Sequence, residues 1–177
     1  DPFGLICGHF EQWATPAAGK DRPGIHVSDA QAALPPHILV LRPKSLVAGI
    51  GCNRHTPMAE IKAFLARVLE RFRYAPKSLT ALASIHLKAD EAGLLALSEA
   101  LRLPLEFFDA AELERVEGVS NPSTTVEHHV GVKSVCEAAA ILAAGMGELV
   151  VPKQKTRNVT VAIARKFCMS SASAPAA

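Results

Sequence analysis

The sequence predicts a layered α/β domain, with helices packed on a sheet whose early strands run parallel. Three observations lead there. Apolar segments of strand length alternate with amphipathic segments of helix length, the order that builds a parallel sheet through helical crossovers. Hydrophobic residues make up 49% of the 177 and charged residues 20%, which is enough apolar side chain for a real core. Aromatics are only 5%, so that core is aliphatic, dominated by Ala and Leu.

The elements follow in order. Residues 1–36 are irregular and rich in Gly and Pro, a linker or the remnant of a preceding region, with one short strand candidate at Gly24–Ser28. Ile38–Leu41 and Ser45–Ala48 are apolar runs around Arg42-Pro43 and predict a buried strand or two. A glycine loop follows, from Gly49-Ile50-Gly51-Cys52 to Thr56-Pro57, with Thr56 as N-cap and Pro57 at the first helical position. Ile61, Phe64, Leu65, Val68, Leu69 and Phe72 then fall on one face of a helix. A second strand spans Leu79–Ile85, and Asp90 caps a helix carrying Leu94, Leu97 and Leu101. Leu103–Phe107 is a third strand. Asp109 to Glu112 has capping-box spacing, and a short helix spans Ser123–His129, ended by Gly131. Ser134 to Glu137 is a second capping box, leading an Ala-rich helix to about Gly145. Glu148–Val151 and Val159–Ala164 close the domain as an antiparallel hairpin around a polar turn, so the sheet is mixed. The domain therefore covers 37–167, and residues 168–177 form a Ser/Ala-rich disordered tail.

Several function classes fall away. A net charge of +2 without a basic stripe argues against nucleic-acid binding. No run approaches the roughly 20 apolar residues that span a membrane. Cys7, Cys52, Cys136 and Cys168 are too scattered for a zinc knuckle or redox pair and fit reduced thiols in the cytoplasm. The start, Asp1-Pro2-Phe3, is neither an initiator nor a signal peptide, which points to a chain that begins inside a longer protein.

The strongest chemical signal is the strand–glycine loop–helix unit. Gly49 and Gly51 let the backbone turn tightly and approach a ligand, amides of 49–54 (Cys52 included) lie at a helix N-terminus, and Arg54 adds a cation. The alternative is a tight turn with no ligand; the spacing is neither a P-loop nor GxGxxG. Lys88-Ala89-Asp90-Glu91 lies past the next strand end. Lys88 would hold an anion and Asp90 or Glu91 would move protons, against a favoured alternative of helix capping beside a solvated lysine. Cys136 in a first helical turn is better read as a small buried side chain than as a nucleophile. Lys153 and Lys155 sit in the hairpin turn, facing a polyanion or simply solvated. His128 and His129 are adjacent and cannot chelate one metal together, whereas His55 and His86 lie near the proposed mouth. No Ser-His-Asp or HExxH constellation supplies a mechanism.

Four blocks resemble the C-terminal domain of the CbiG family. They are Leu41-Arg42-Pro43 with Leu46-Val47-Ala48-Gly49-Ile50-Gly51-Cys52, Arg54 and Thr56; Ala83-Ser84-Ile85 with Leu87-Lys88-Ala89-Asp90-Glu91 and Gly93-Leu94; Gly131-Val132 with Ser134-Val135-Cys136-Glu137-Ala138-Ala139-Ala140; and Val151-Pro152-Lys153-Gln154-Lys155 with Asn158-Val159-Thr160-Val161-Ala162-Ile163-Ala164. In order they cover about 38–166. The related CobE proteins share this domain, and residues 1–36 resemble the end of the CbiG central region.

The resemblance implies a three-layer α/β/α sandwich. It implies hydrolysis of the ring-A acetate δ-lactone of cobalt-precorrin 5A in anaerobic cobalamin synthesis, releasing acetaldehyde to give cobalt-precorrin 5B. On that reading Gly49, Gly51, Cys52, Arg54, Lys88, Lys153 and Lys155 hold the carboxylates of the tetrapyrrole, and Glu91 or Asp90 activates water. Cobalt arrives inside the substrate, so no cofactor or protein metal site is required. The partners implied are the tetrapyrrole, the absent N-terminal domain and pathway methyltransferases. Two alternatives stand beside it: a non-catalytic tetrapyrrole-binding or scaffold module like CobE, and a phosphate- or nucleotide-binding module.

Overall fold

Residues 46–50 are buried without a break, as happens only to a central strand with both faces covered. In the computed structural model, which describes residues 24–117 and 134–167, this segment is the middle of the sheet. The elements in chain order are β1 (Gly24–Val27), β2 (Ile38–Leu41), β3 (Leu46–Cys52), α1 (Met58–Arg71), β4 (Leu79–Ile85), α2 (Ala92–Leu101), β5 (Leu105–Phe108), α3 (Ala110–Glu117), α4 (Val135–Ala143), β6 (Glu148–Lys155) and β7 (Val159–Arg165). The main sheet has five strands in the order β5-β4-β3-β7-β6. Strands β3, β4 and β5 are parallel, and β7 runs antiparallel to both β3 and β6.

The two faces of the sheet carry different side chains. Leu46, Ala48 and Ile50, with Leu82, Val161 and Ile163, meet Ile61, Leu65 and Leu69 of α1 and Leu94 and Leu97 of α2. Across the sheet, Val47, Ala81, Ala83 and Ala164 meet Ala138–Ala140 of α4, with Leu113 and Val116 of α3 beside them. The result is the three-layer α/β/α sandwich with a mixed sheet. The alanine side brings α4 unusually near. A Cβ on Gly49 would stand 1.8 Å from the carbonyl oxygen of Cys136.

That contact corrects the loop reading of the glycines. Gly49 and Gly51 lie within β3, in register with Ala162 and Thr160 of β7. Packing against the α4 backbone demands Gly49, Gly51 faces the side chain of Thr160, and the chain turns only at Asn53–Pro57. Other boundaries shift for local reasons. Pro57, not Thr56, occupies the N-cap of α1, because the Thr56 hydroxyl donates to the Asn53 carbonyl at 2.8 Å. Leu103-Pro104 precedes β5 rather than joining it, since proline has no ladder N–H to give. The capping carboxylate of Glu112 does form, accepting the Asp109 N–H at 2.8 Å. Strand β6 runs on to Lys155, so Lys153 and Lys155 are strand residues and not turn residues.

Strands β1 and β2 make a separate parallel pair. It is tied to the sandwich through Asp29, which is 8% exposed. The Asp29 carboxylate accepts from Arg165 Nε and from Ser45 Oγ, each at 2.8 Å. Arg42 reaches back to the carbonyls of Ser28 and Ala30. Among the described residues no helix is long and apolar enough to cross a membrane. The expected helix at Ser123–His129 and the tail lie outside the described residues.

Candidate functional site

Helices α1, α2 and α3 each begin just past the carboxyl end of β3, β4 and β5, so their N-termini gather along one edge of the sheet. Open α/β sheets bind ligands at that edge, and helix N-termini favour anions there. Loop 53–57 and the first turn of α2 border an open cleft of about 580 Å³ along it.

Glu91 is the pivot of this cleft. It is only 3% exposed, although a carboxylate prefers water. Its Oε1 accepts the His55 N–H at 2.7 Å, while Arg54 and Lys88 approach Oε2 at 3.9 Å. Arg54 turns its other contacts outward, 2.6 Å from Asp90 Oδ1 and 3.3 Å from the Leu87 carbonyl. The N-cap of α2 is therefore Glu91 and not Asp90, because the Asp90 carboxylate is taken by a guanidinium. The Arg54 hydrogen bond holds the Asp90 carboxyl below its ordinary range, which makes Asp90 a poor proton carrier. Beneath them the Cys52 thiol is pushed up by burial, with the nearby Glu91 charge adding to that, so it stays protonated and inert.

The loop's shape rests on two small features. Gly93 has no Cβ where one would lie 2.2 Å from the Thr56 carbonyl, so α2 abuts the loop. His55 takes a left-handed φ of 61°. That conformation costs a side-chain-bearing residue roughly 1 kcal/mol, and glycine gives part of the relief back as unfolded-state entropy. His55→Gly is expected to raise stability by about 0.5 kcal/mol, read from the urea midpoint. A lower midpoint would show that the imidazole makes contacts that outweigh the strain.

The remaining candidates lie on the other face of the same edge. Lys155 is in register with Thr160, and Thr160 with Gly51, in a row on the α4 side. A Cβ on Gly51 would meet Thr160 Oγ1 at 2.6 Å. Lys153 and Lys155 are exposed, and the Lys153 N–H donates to Glu137 Oε1 at 2.8 Å. Ser134 holds the N-cap position of α4 but makes no side-chain capping bond there; its hydroxyl donates to Glu137 Oε2 at 2.9 Å. The expected capping box is thus replaced by a link between helix and strand. Cys136 is buried and free, as its structural reading requires.

The structure therefore brings Arg54, Lys88, Asp90 and Glu91 together over Cys52 and sets Lys153 and Lys155 apart beside Gly51. It places Gly49 beneath α4. Sequence reasoning missed the roles of Gly93 and Glu137. Glu137 carries a signal, being an acid inside an otherwise apolar helical run. Among the described residues no group of three or more His, Cys, Asp or Glu side chains is placed to hold a metal.

Fold and site define an α/β/α domain whose carboxyl edge collects helix N-termini and cationic side chains around a buried carboxylate. The family model described as cobalamin synthesis G C-terminus matches residues 46–164, and the chain belongs to that family. It is 36% identical over 126 residues to the cobalt-precorrin-5A hydrolase of Priestia megaterium, covering 71% of this chain and 33% of that one. It is 37% identical over 121 residues to protein CobE of a Sinorhizobium species, covering 67% of this chain and 79% of that one. Among solved structures, that of CobE from the cobalamin (vitamin B12) biosynthetic pathway superposes with a TM-score of 0.59 at 36% identity, over 72% of this chain and 94% of that one. The chain thus spans about a third of the hydrolase relative and about four fifths of CobE.

Proposed function

We propose that this domain binds a cobalt-bearing, carboxylate-rich tetrapyrrole in the cytoplasm and takes part in opening the ring-A lactone of cobalt-precorrin 5A. The observation that carries the reading is the Arg54–Lys88–Glu91 cluster at the carboxyl edge, in a chain whose relatives include a cobalt-precorrin-5A hydrolase. Arg54 and Lys88 hold substrate carboxylates, with Lys153 and Lys155 holding others across the edge. Cobalt comes with the substrate. Glu91 takes a proton from water as its oxygen adds to the lactone carbonyl; the ring C–O bond then breaks, leaving a carboxylate and an alcohol. Glu91 returns its proton to the departing ring oxygen; as the resulting alcohol gives a proton back to the Glu91 carboxylate and collapses to a carbonyl, the C–C bond to the macrocycle breaks. Acetaldehyde departs, and the electron pair passes into the conjugated system. The rest of a longer hydrolase and the methyltransferases on either side of the step are the partners on this reading.

A second reading has its own support. Glu91 already accepts a backbone N–H, and the chain covers most of CobE. On that reading the domain is a non-catalytic tetrapyrrole-binding module. Anaerobic incubation with cobalt-precorrin 5A separates the two. Acetaldehyde release by this chain supports catalysis within it. Tight binding without release supports the module, and failure to bind any corrinoid polycarboxylate sinks both.

A further inference from the structure

We infer that Glu137 is a positioning residue: it holds the Lys153–Lys155 stretch of the edge strand in the shape that presents both ammonium groups to substrate carboxylates. The inference rests on the proposed tetrapyrrole binding. Glu137 is 6% exposed, beside the alanines of α4, where an unsatisfied carboxylate would be costly. Both of its oxygens are engaged, one by the Ser134 hydroxyl at 2.9 Å and one by the Lys153 N–H at 2.8 Å.

That N–H is free to leave the ladder because β6 is bulged. Between Val151 and Gln154 the strand advances three residues while β7 advances two, from Ile163 to Val161, and Pro152 has no N–H to pair. The extra residue turns both Val151 and Gln154 toward α1. Val151 is buried there, and the Gln154 side-chain Oε1 accepts from Arg71 Nη1 at 3.4 Å. Lys155 then falls in register with Thr160 on the α4 side. Among the described strands β6 is at the sheet's edge, so β7 restrains it from one side. Glu137 supplies the restraint from the helix layer, at the residue where the bulge would otherwise relax. The carboxylate spends its hydrogen bonds on a backbone amide and a hydroxyl, leaving the ammonium groups to the ligand.

The test uses cobyrinic acid, a corrinoid polycarboxylate, as probe, with dissociation constants taken at several salt concentrations. Glu137→Asp keeps the charge and shortens the reach, so the Lys153 N–H loses its acceptor. Glu137→Gln keeps the reach and gives up the charge. The double variant Lys153→Ala/Lys155→Ala should weaken binding about tenfold at low salt and flatten the salt dependence. Glu137→Asp should weaken it about threefold with the same flattening, and Glu137→Gln should bind as the parent does. In the Lys153→Ala/Lys155→Ala background, Glu137→Asp should leave the dissociation constant unchanged. Equal weakening in both backgrounds, or parent-like binding by Glu137→Asp, overturns the inference and leaves tetrapyrrole binding intact. Unchanged binding by the double lysine variant also overturns it, while Arg54 and Lys88 keep their assigned roles. A parent chain that does not bind the probe removes the functional reading and this inference together.

Discussion

Glu91→Gln should abolish acetaldehyde release, by about a hundredfold or more, while the dissociation constant for the tetrapyrrole barely moves. The glutamine carbonyl oxygen can still accept the His55 N–H now taken by Glu91 Oε1. Loop 53–57 therefore keeps its shape, and the stability cost stays near 1 kcal/mol, from the lost attraction to Arg54 and Lys88. Glu91→Ala removes the acceptor as well. It leaves a backbone N–H unpaired and should cost about 2–3 kcal/mol in urea unfolding. Single-turnover kinetics on a longer protein containing this domain, beside binding and denaturation of the chain itself, separate these effects. Full turnover by Glu91→Gln removes Glu91 from the mechanism. Parallel losses of binding and turnover make it a structural pin of the loop.

Gly49→Ala should cost about 3 kcal/mol, one of the largest effects available from a single methyl. The new Cβ would lie 1.8 Å from the Cys136 carbonyl oxygen and 2.9 Å from the Ala140 nitrogen. Those are backbone atoms of α4 and cannot rotate away, so the helix must lift from the sheet. Gly51→Ala is the control. Its nearest neighbour is the Thr160 hydroxyl at 2.6 Å, the tip of a side chain that can turn. Its cost should stay near 1 kcal/mol. Equal midpoints for the two variants would show that α4 does not sit so near the sheet.

Much of this architecture was legible in the pattern of apolar residues. Ile61, Phe64, Leu65, Val68 and Leu69 are all buried, because helical spacing fixes which side of α1 faces the sheet. The strand at Leu79–Ile85 has the expected bounds. What failed depended on contacts distant in sequence. The glycines of β3 suggest a turn when read locally, and only the presence of α4 explains why Gly49 must lack a side chain. Asp90 is the natural cap on paper; the guanidinium of Arg54, 36 residues earlier, takes its carboxylate, and the N-cap position falls to Glu91. A strand through Pro152 is disfavoured by rule, and its place at the sheet's edge removes the objection. For the site, the sequence pointed to Arg54, Lys88, Asp90 and Glu91 as neighbours of strand ends. It held no sign that Lys153 and Lys155 lie on the face opposite Val151, because the register shift between Val151 and Gln154 is not written in the local sequence.

The strand next to β3 on one side is β7, whose residues Val159–Arg165 pair with Leu46–Cys52. During synthesis the middle of the sheet is therefore completed by nearly the last residues of the domain to leave the ribosome. Until then β3 has one open flank, and β6 has no neighbour among the described strands. A nascent chain stalled before Val159 would leave uncovered the apolar surfaces of α1 and α4 on which β7 later packs, a natural target for holding chaperones. Ladder closure across so long a stretch of chain should also make this pairing the slow event in refolding.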